Sequence, residues 1–272
     1  MKAVKGNHTV VVILKFLNGS SGESESAREG GGRHPKGELA ILKSLQMFQS
    51  GRNHVIQLHD IIKSHYCTII VMPWESPLSN FLSACPNLVE LLGTQFLEGV
   101  SFLHEHHLAH LDLKPENLLI STTDSSPLPR LSTINFGLSM YVDDEHYPVH
   151  GYRGTPSWTA PEVSSECSTA QTYSMIMADR WSCGLVLQYI THFHPLRRSL
   201  KFEHVCEKLL VLEPHHRPPL SKVLECIQEG SFSEMCGNDR NGFQDLAHNL
   251  SSGWCVIFSL LVHLFSGQIQ GE

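Results

Sequence analysis

None of the eight cysteines (67, 85, 167, 183, 206, 226, 236 and 255) forms a C-x-x-C pair with another. That spacing suits neither a zinc site nor a disulfide framework, and reads as reduced thiols in a cytoplasmic protein. An excess of positive charge is also lacking. The formal net charge is −7, which argues against a nucleic-acid surface as the main business. The start, MKAVKGNHTVVVILKF, has two lysines, but Asn7 and His8 interrupt it and no small-residue cleavage site follows, so it does not read as a secretory signal. Near the other end, WCVIFSLLVHLF (Trp254–Phe265) is apolar except for Ser259 and His263. It falls short of the roughly 20 residues that span a bilayer. A buried helix or strand is the favoured reading. A membrane-surface contact and a stretch foreign to the fold stay open.

What is present is an ordinary globular composition over 272 residues, 41% hydrophobic and 17% charged, enough for one large domain or two packed lobes. Val10–Leu17 (VVVILKFL) is a β-branched run and predicts a strand. Asn18–Gly37 is rich in Gly, Ser and Glu and predicts an exposed loop. GELAILKSLQMF places Leu39, Leu42 and Leu45 at helical spacing, an amphipathic helix of about three turns. HVIQLHDIIKS and CTIIVMPWE predict two strands joined through His65 and Tyr66, ended by Pro73 and Pro77. From Asn87 onward, Leu88, Leu91, Leu92, Phe96, Val100 and Leu103 share a helical face. The order is a small strand-rich part, a proline-marked hinge and a larger helical part.

Several motifs then occur in one order: HLAHLDLKPENLLI, INFGLS, GTPSWTAPEV, ADRWSCG and EPHHRP. Together they resemble the catalytic core of eukaryotic Ser/Thr protein kinases, and the wording GTPSWTAPEV…ADRWSCGLVL is similar to divergent kinase-like proteins of fungi. The resemblance spans residues 8–228 and implies an α+β, two-lobed fold. Its N-lobe covers 8–72, its hinge 73–77 and its C-lobe 78–228, with an extension at 229–272. It also implies ATP and Mg²⁺ as cofactors and a protein as substrate or binding partner, with no nucleic acid.

Each matching residue carries a role implied by that resemblance. Asp112 is the carboxylate that orients the substrate hydroxyl and accepts its proton. Lys114 offsets charge on the transferring phosphoryl. Asn117 supplies an amide oxygen to the metal, joined there by Asn135. Lys15 holds the α- and β-phosphates and Glu38 pairs with it. Met72 lines the back of the nucleotide pocket, and Pro73, Trp74 and Glu75 form the hinge under the adenine. Because Pro73 has no N–H, a neighbour must bond the base. Glu162 with Arg217, and Asp179 with Trp181, are matched to structural positions of the larger lobe. Four nearby histidines (104, 106, 107 and 110) have no cysteine or carboxylate set beside them and are not read as a zinc site.

Four departures from the pattern matter. Asn135 stands where the metal-holding aspartate of D-F-G is expected, while Phe136 and Gly137 remain. Only fourteen residues precede Lys15, with no G-x-G-x-x-G, whereas two strands and a turn need about 25. Leu111 replaces the arginine that would read an activating phosphate. Asp179 to Arg217 is only 38 residues, so a helix near the docking surface is expected to be missing. The reading is therefore an impaired kinase-like protein. Its rivals are a binding pseudokinase, a kinase that holds one metal through Asn117 and Asn135, and a truncated product that folds poorly.

Overall fold

The computed structural model describes residues 2–5, 8–18, 37–122, 128–163, 172–192 and 200–231. Most of the Gly/Ser-rich stretch and all of Trp254–Phe265 lie outside them.

The smaller lobe is a four-stranded antiparallel sheet with one helix. Its strands are β1 (Lys2–Lys5), β2 (His8–Asn18), β3 (Asp60–Lys63) and β4 (Cys67–Pro73), in the order β1-β2-β4-β3. Side chains alternate along a strand, so register decides which face each residue serves. Lys15 lies opposite Ile70, and Ile13 opposite Met72. Lys15 therefore shares the face of Ile13 and Leu17, which packs on helix α1 (Glu38–Gln46). That helix buries Ile41, Leu42 and Leu45 and carries Glu38 in its first turn, where the helix dipole favours a carboxylate. The opposite face leaves Phe16 and Ile62 exposed.

The chain crosses to the larger lobe through β5 (Ser76–Pro77) and a short helix, α2 (Leu78–Ala84). Helix α3 (Val89–Glu105) follows and buries Leu92, Phe96, Val100 and Leu103. After it come β6 (Leu108–Ala109), β7 (Leu118–Ser121), β8 (Arg130–Thr133) and β9 (Met140–Tyr141). Strands β5, β7 and β8 form one small sheet, and β6 pairs with β9. A further pair joins β10 (Pro148–Val149) to β11 (Tyr173–Ser174). Helix α4 (Met175–His192) is buried on nearly every side, from Ile176 and Trp181 to Val186 and Ile190, as suits a central core helix. Helices α5 (Leu200–Leu209) and α6 (Leu220–Glu229) cover it. Gly93 of α3 lets the Phe202 ring of α5 approach so closely that an added Cβ would sit 2.6 Å from it.

One apolar cluster joins the lobes. It takes Ile41, Leu42 and Leu45 from α1, Ile70 and Met72 from β4, Phe102 and Leu103 from α3, and Phe136. The predicted strands over 10–17 and 67–75 and the predicted helices over 37–48 and from 87 appear with slightly different ends, whereas of the predicted strand over 54–64 only Asp60–Lys63 forms one, Val55 instead making an isolated bridge to Thr133. The hairpin through His65 and Tyr66 is β3–β4. Among the described residues no helix is long and apolar enough to cross a membrane.

Candidate active site

The loop between β6 and β7 is built around a carboxylate beneath it. Asp179 of α4 accepts hydrogen bonds from the backbone N–H groups of His110 (2.6 Å) and Leu111 (2.8 Å). That grip holds Leu111 at φ +64°, a left-handed conformation that ordinarily disfavours a side chain of this size. His110 is fully buried, and the loss of solvent pushes its imidazole pKa down. The neutral ring suits its surroundings in one tautomer. Nε2–H donates to the Ile134 carbonyl at 3.0 Å, and Nδ1 accepts the Asp112 N–H at 3.2 Å.

These backbone bonds aim Asp112 into the cleft between the lobes. Its Oδ1 accepts from Thr155 Oγ1 at 2.5 Å, and Thr155 in turn accepts from Lys114 Nζ at 2.6 Å. Its Oδ2 lies 3.2 Å from Lys114 Nζ and accepts from Asn117 Nδ2 at 2.9 Å. Asn117 Nδ2 also reaches the Asp112 carbonyl at 2.7 Å. A short 3₁₀ turn, Pro115–Asn117, sets that geometry.

From the other lobe, Lys15 Nζ meets Glu38 Oε1 at 2.6 Å. Glu38 also accepts the Phe136 N–H at 3.2 Å, so α1 is tied both to the sheet and to the N-F-G turn. Phe136 is buried in the shared core, with its ring 4.9 Å from that of His110. Asn135 sits between the two halves at φ +69°. Asn and Asp are the side chains that best tolerate this backbone, so the amide occupies the turn as readily as a carboxylate would. Its Oδ1 accepts from Lys15 at 3.0 Å. Its Nδ2 points to Asn117 Oδ1 at 3.3 Å and to Asp112 Oδ2 at 3.5 Å. The fold thus brings Lys15, Glu38, Asp112, Lys114, Asn117 and Asn135 together.

Met72 is buried on β4 opposite Ile13, while Trp74, just beyond that strand, is 57% exposed. Beside it Glu75 is buried, and burial raises its carboxyl pKa.

The donor set at Asn117 and Asn135 is a poor fit for magnesium. Mg²⁺ sites draw on one or two carboxylates, phosphate and water. The oxygens that Asn117 and Asn135 could offer belong to neutral carboxamides, and each already accepts a hydrogen bond from within the site. Asp112 is the adjacent carboxylate, and it takes its donors from Thr155, Lys114 and Asn117. No group of three or more His, Cys, Asp or Glu side chains among the described residues could hold a metal ion.

Two contacts escape the motif spacing. Thr155 bridges Asp112 and Lys114, and its only signal is its place seven residues before Glu162 in GTPSWTAPEV. Arg180 donates from Nη2 to Glu145 Oε2 at 2.5 Å and from Nη1 to the Arg217 carbonyl at 3.1 Å. The backbone carbonyl of Glu145 is also bonded by the Ser174 hydroxyl. The segment after Asn135 is thereby anchored to α4, and nothing in the sequence pattern singled out Glu145.

Comparison with known proteins agrees with this geometry. A family model described as protein kinase domain matches residues 1–221. Serine/threonine-protein kinase ULK3 of Homo sapiens is 30% identical over 246 residues, 86% of this chain and 47% of its own length. Serine/threonine-protein kinase 17A of Oryctolagus cuniculus is 30% identical over 198 residues, 68% of this chain and 47% of its own. Death-associated protein kinase 2 of Homo sapiens is 30% identical over 171 residues, covering 60% and 43% respectively. The chain spans less than half the length of these relatives.

Proposed function

Because the chain belongs to the protein kinase domain family, we propose that it is a Ser/Thr protein kinase-like domain that takes ATP and whose phosphoryl transfer to protein is impaired. One observation carries the reading. Lys15, Glu38, Asp112, Lys114 and Asn117 stand in one connected site, and Asn135 enters it as a neutral amide. In this proposal Lys15 holds the α- and β-phosphates, with Met72 behind the base and Trp74 at the hinge. The Asp112 carboxylate accepts the proton of a Ser or Thr hydroxyl. Lys114 offsets negative charge that develops on the moving phosphoryl group.

Members of this family use ATP and Mg²⁺, and the weak step here is electrostatic. Asn135 lacks the negative charge that its position supplies in the D-F-G pattern. Losing one well-placed electrostatic group costs about 10²–10³ in rate. A pseudokinase that works by binding is the second reading, favoured by the bonds Asn135 makes to Asn117 and Lys15.

Radiolabel transfer from ATP to a Ser/Thr peptide library tests both readings. The impaired kinase gives a slow signal that Asp112→Ala abolishes and Asn135→Asp raises by about 10²-fold or more. Wild-type transfer as fast as that of Asn135→Asp overturns the impairment. No transfer from any variant, with nucleotide still bound, selects the pseudokinase.

A further inference from the structure

The orientation of the Asn135 carboxamide is dictated by its neighbours. Lys15 offers only donors, so it must face Oδ1, and the ionised Asp112 offers only acceptors, so it must face Nδ2. The amide N–H₂ group therefore points at two oxygens, Asn117 Oδ1 at 3.3 Å and Asp112 Oδ2 at 3.5 Å. A carboxylate in the same rotamer would place an anionic oxygen beside both of them, a repulsion that a cation between the three would relieve.

The local charges support the same conclusion. Lys15 is matched by Glu38 at 2.6 Å and Lys114 by Asp112 at 3.2 Å. With a neutral residue at 135, these four charges cancel. With an aspartate there, the cluster carries one uncompensated negative charge.

We propose that the Asn135 carboxamide takes the place of a divalent cation, so that the site is complete without metal and accepts a nucleotide polyphosphate as its free anion. The nucleotide clause rests on the function proposed above, and the clause on the amide stands on the geometry alone. A triphosphate here meets the Asp112 carboxylate but no second one at position 135, and Lys15 and Lys114 supply the positive charge that faces it. Lys15, 31% exposed, and Lys114, 19% exposed, remain accessible to the phosphates.

Thermal unfolding of the full chain decides it in two arms. Without nucleotide, the wild-type Tm is expected to be the same in EDTA and in millimolar Mg²⁺. Asn135→Asp is expected to melt at least about 3 °C lower in EDTA and to regain that loss in Mg²⁺. Asn135→Ala is expected to melt lower in both, with no response to Mg²⁺. An Asn135→Asp protein as stable as wild type in EDTA overturns the proposal, and so does a wild-type Tm that rises with Mg²⁺. If Asn135→Asp does not fold in EDTA, a cooperative transition regained in Mg²⁺ is the expected result, and a failure to fold in Mg²⁺ as well overturns the proposal.

With ATP, the wild-type shift is expected to be as large in EDTA as in Mg²⁺. A shift that requires Mg²⁺ overturns the proposal. No shift under either condition removes the nucleotide reading of the site, while the first arm still decides the role of the amide.

Discussion

Single side chains set the chemistry of this site, and the contrast between Asn135 and Arg217 shows how differently two residues can matter. Arg217 is fully buried and forms a two-pronged pair with Glu162 at 2.5 and 2.8 Å. It also donates to the carbonyls of Val211, Met177 and Leu212, and lies 5.0 Å from the Trp181 ring centre. Removing one partner of such a pair leaves a charge in a dry site, at a cost of about 3–5 kcal/mol. Arg217→Ala is therefore expected to lower urea-unfolding stability by that amount. Arg217→Lys is expected to lose at least about 1 kcal/mol, because an ammonium cannot reproduce the planar fork. An unchanged urea midpoint in either variant would contradict this role. Asn135 and its partners were legible because their identities and spacing form motifs. The bond of Thr155 to Asp112 leaves no such mark, since it depends on folding across 43 positions of sequence.

At the scale of elements, hydrophobic period was the readable signal. The β2 run, the β3–β4 hairpin, α1 and α3 all follow from alternation or a 3.6-residue repeat. Helix α2 did not, because seven residues after Pro77 show too short a period to stand out. The β1 strand was also missed, since its pairing with residues 8–11 becomes visible only when the hairpin closes. The segment between β9 and β10 is another contact of tertiary origin. It is held to α4 by the Glu145–Arg180 ion pair and to β11 by Ser174. Leu111 supplies no guanidinium to receive a phosphate there. Glu145→Ala is expected to speed proteolytic cutting within residues 141–150 and to cost about 1–3 kcal/mol, since Arg180 is buried while Glu145 is 39% exposed. A protease pattern identical to wild type would argue that the pair is incidental.

Across the whole molecule, burial of ionisable groups ties stability to pH. Desolvation lowers the pKa of both His54 and His110 in the fold. The unfolded chain, with ordinary imidazoles near 6.5, then binds more protons than the folded one as the solution is acidified. Their contribution is complete above about pH 6.5 and is lost as pH falls through the depressed folded values. Glu75 acts in the opposite sense. Its raised carboxyl pKa stabilises the fold at acid pH and is lost as pH rises through that value. Melting temperatures from pH 8 to 5 are expected to stay level and then fall below about pH 6.5. A His110→Gln variant is expected to flatten part of that fall, and an equally steep fall in the variant would place the effect elsewhere.

The sequence by itself determined the family resemblance, the periodic elements and the chemical identities at 15, 38, 112, 114, 117 and 135. Those features are local, in that a strand alternates and a motif keeps its spacing whatever surrounds it. Tertiary structure alone decided that Glu38, besides meeting Lys15, takes the Phe136 N–H, that Thr155 bridges Asp112 and Lys114, and that the Asn135 amide faces Lys15 with its oxygen and Asn117 with its nitrogen. Those are contacts between distant positions. Their geometry comes from how the lobes pack around Phe136, which one-dimensional spacing does not encode.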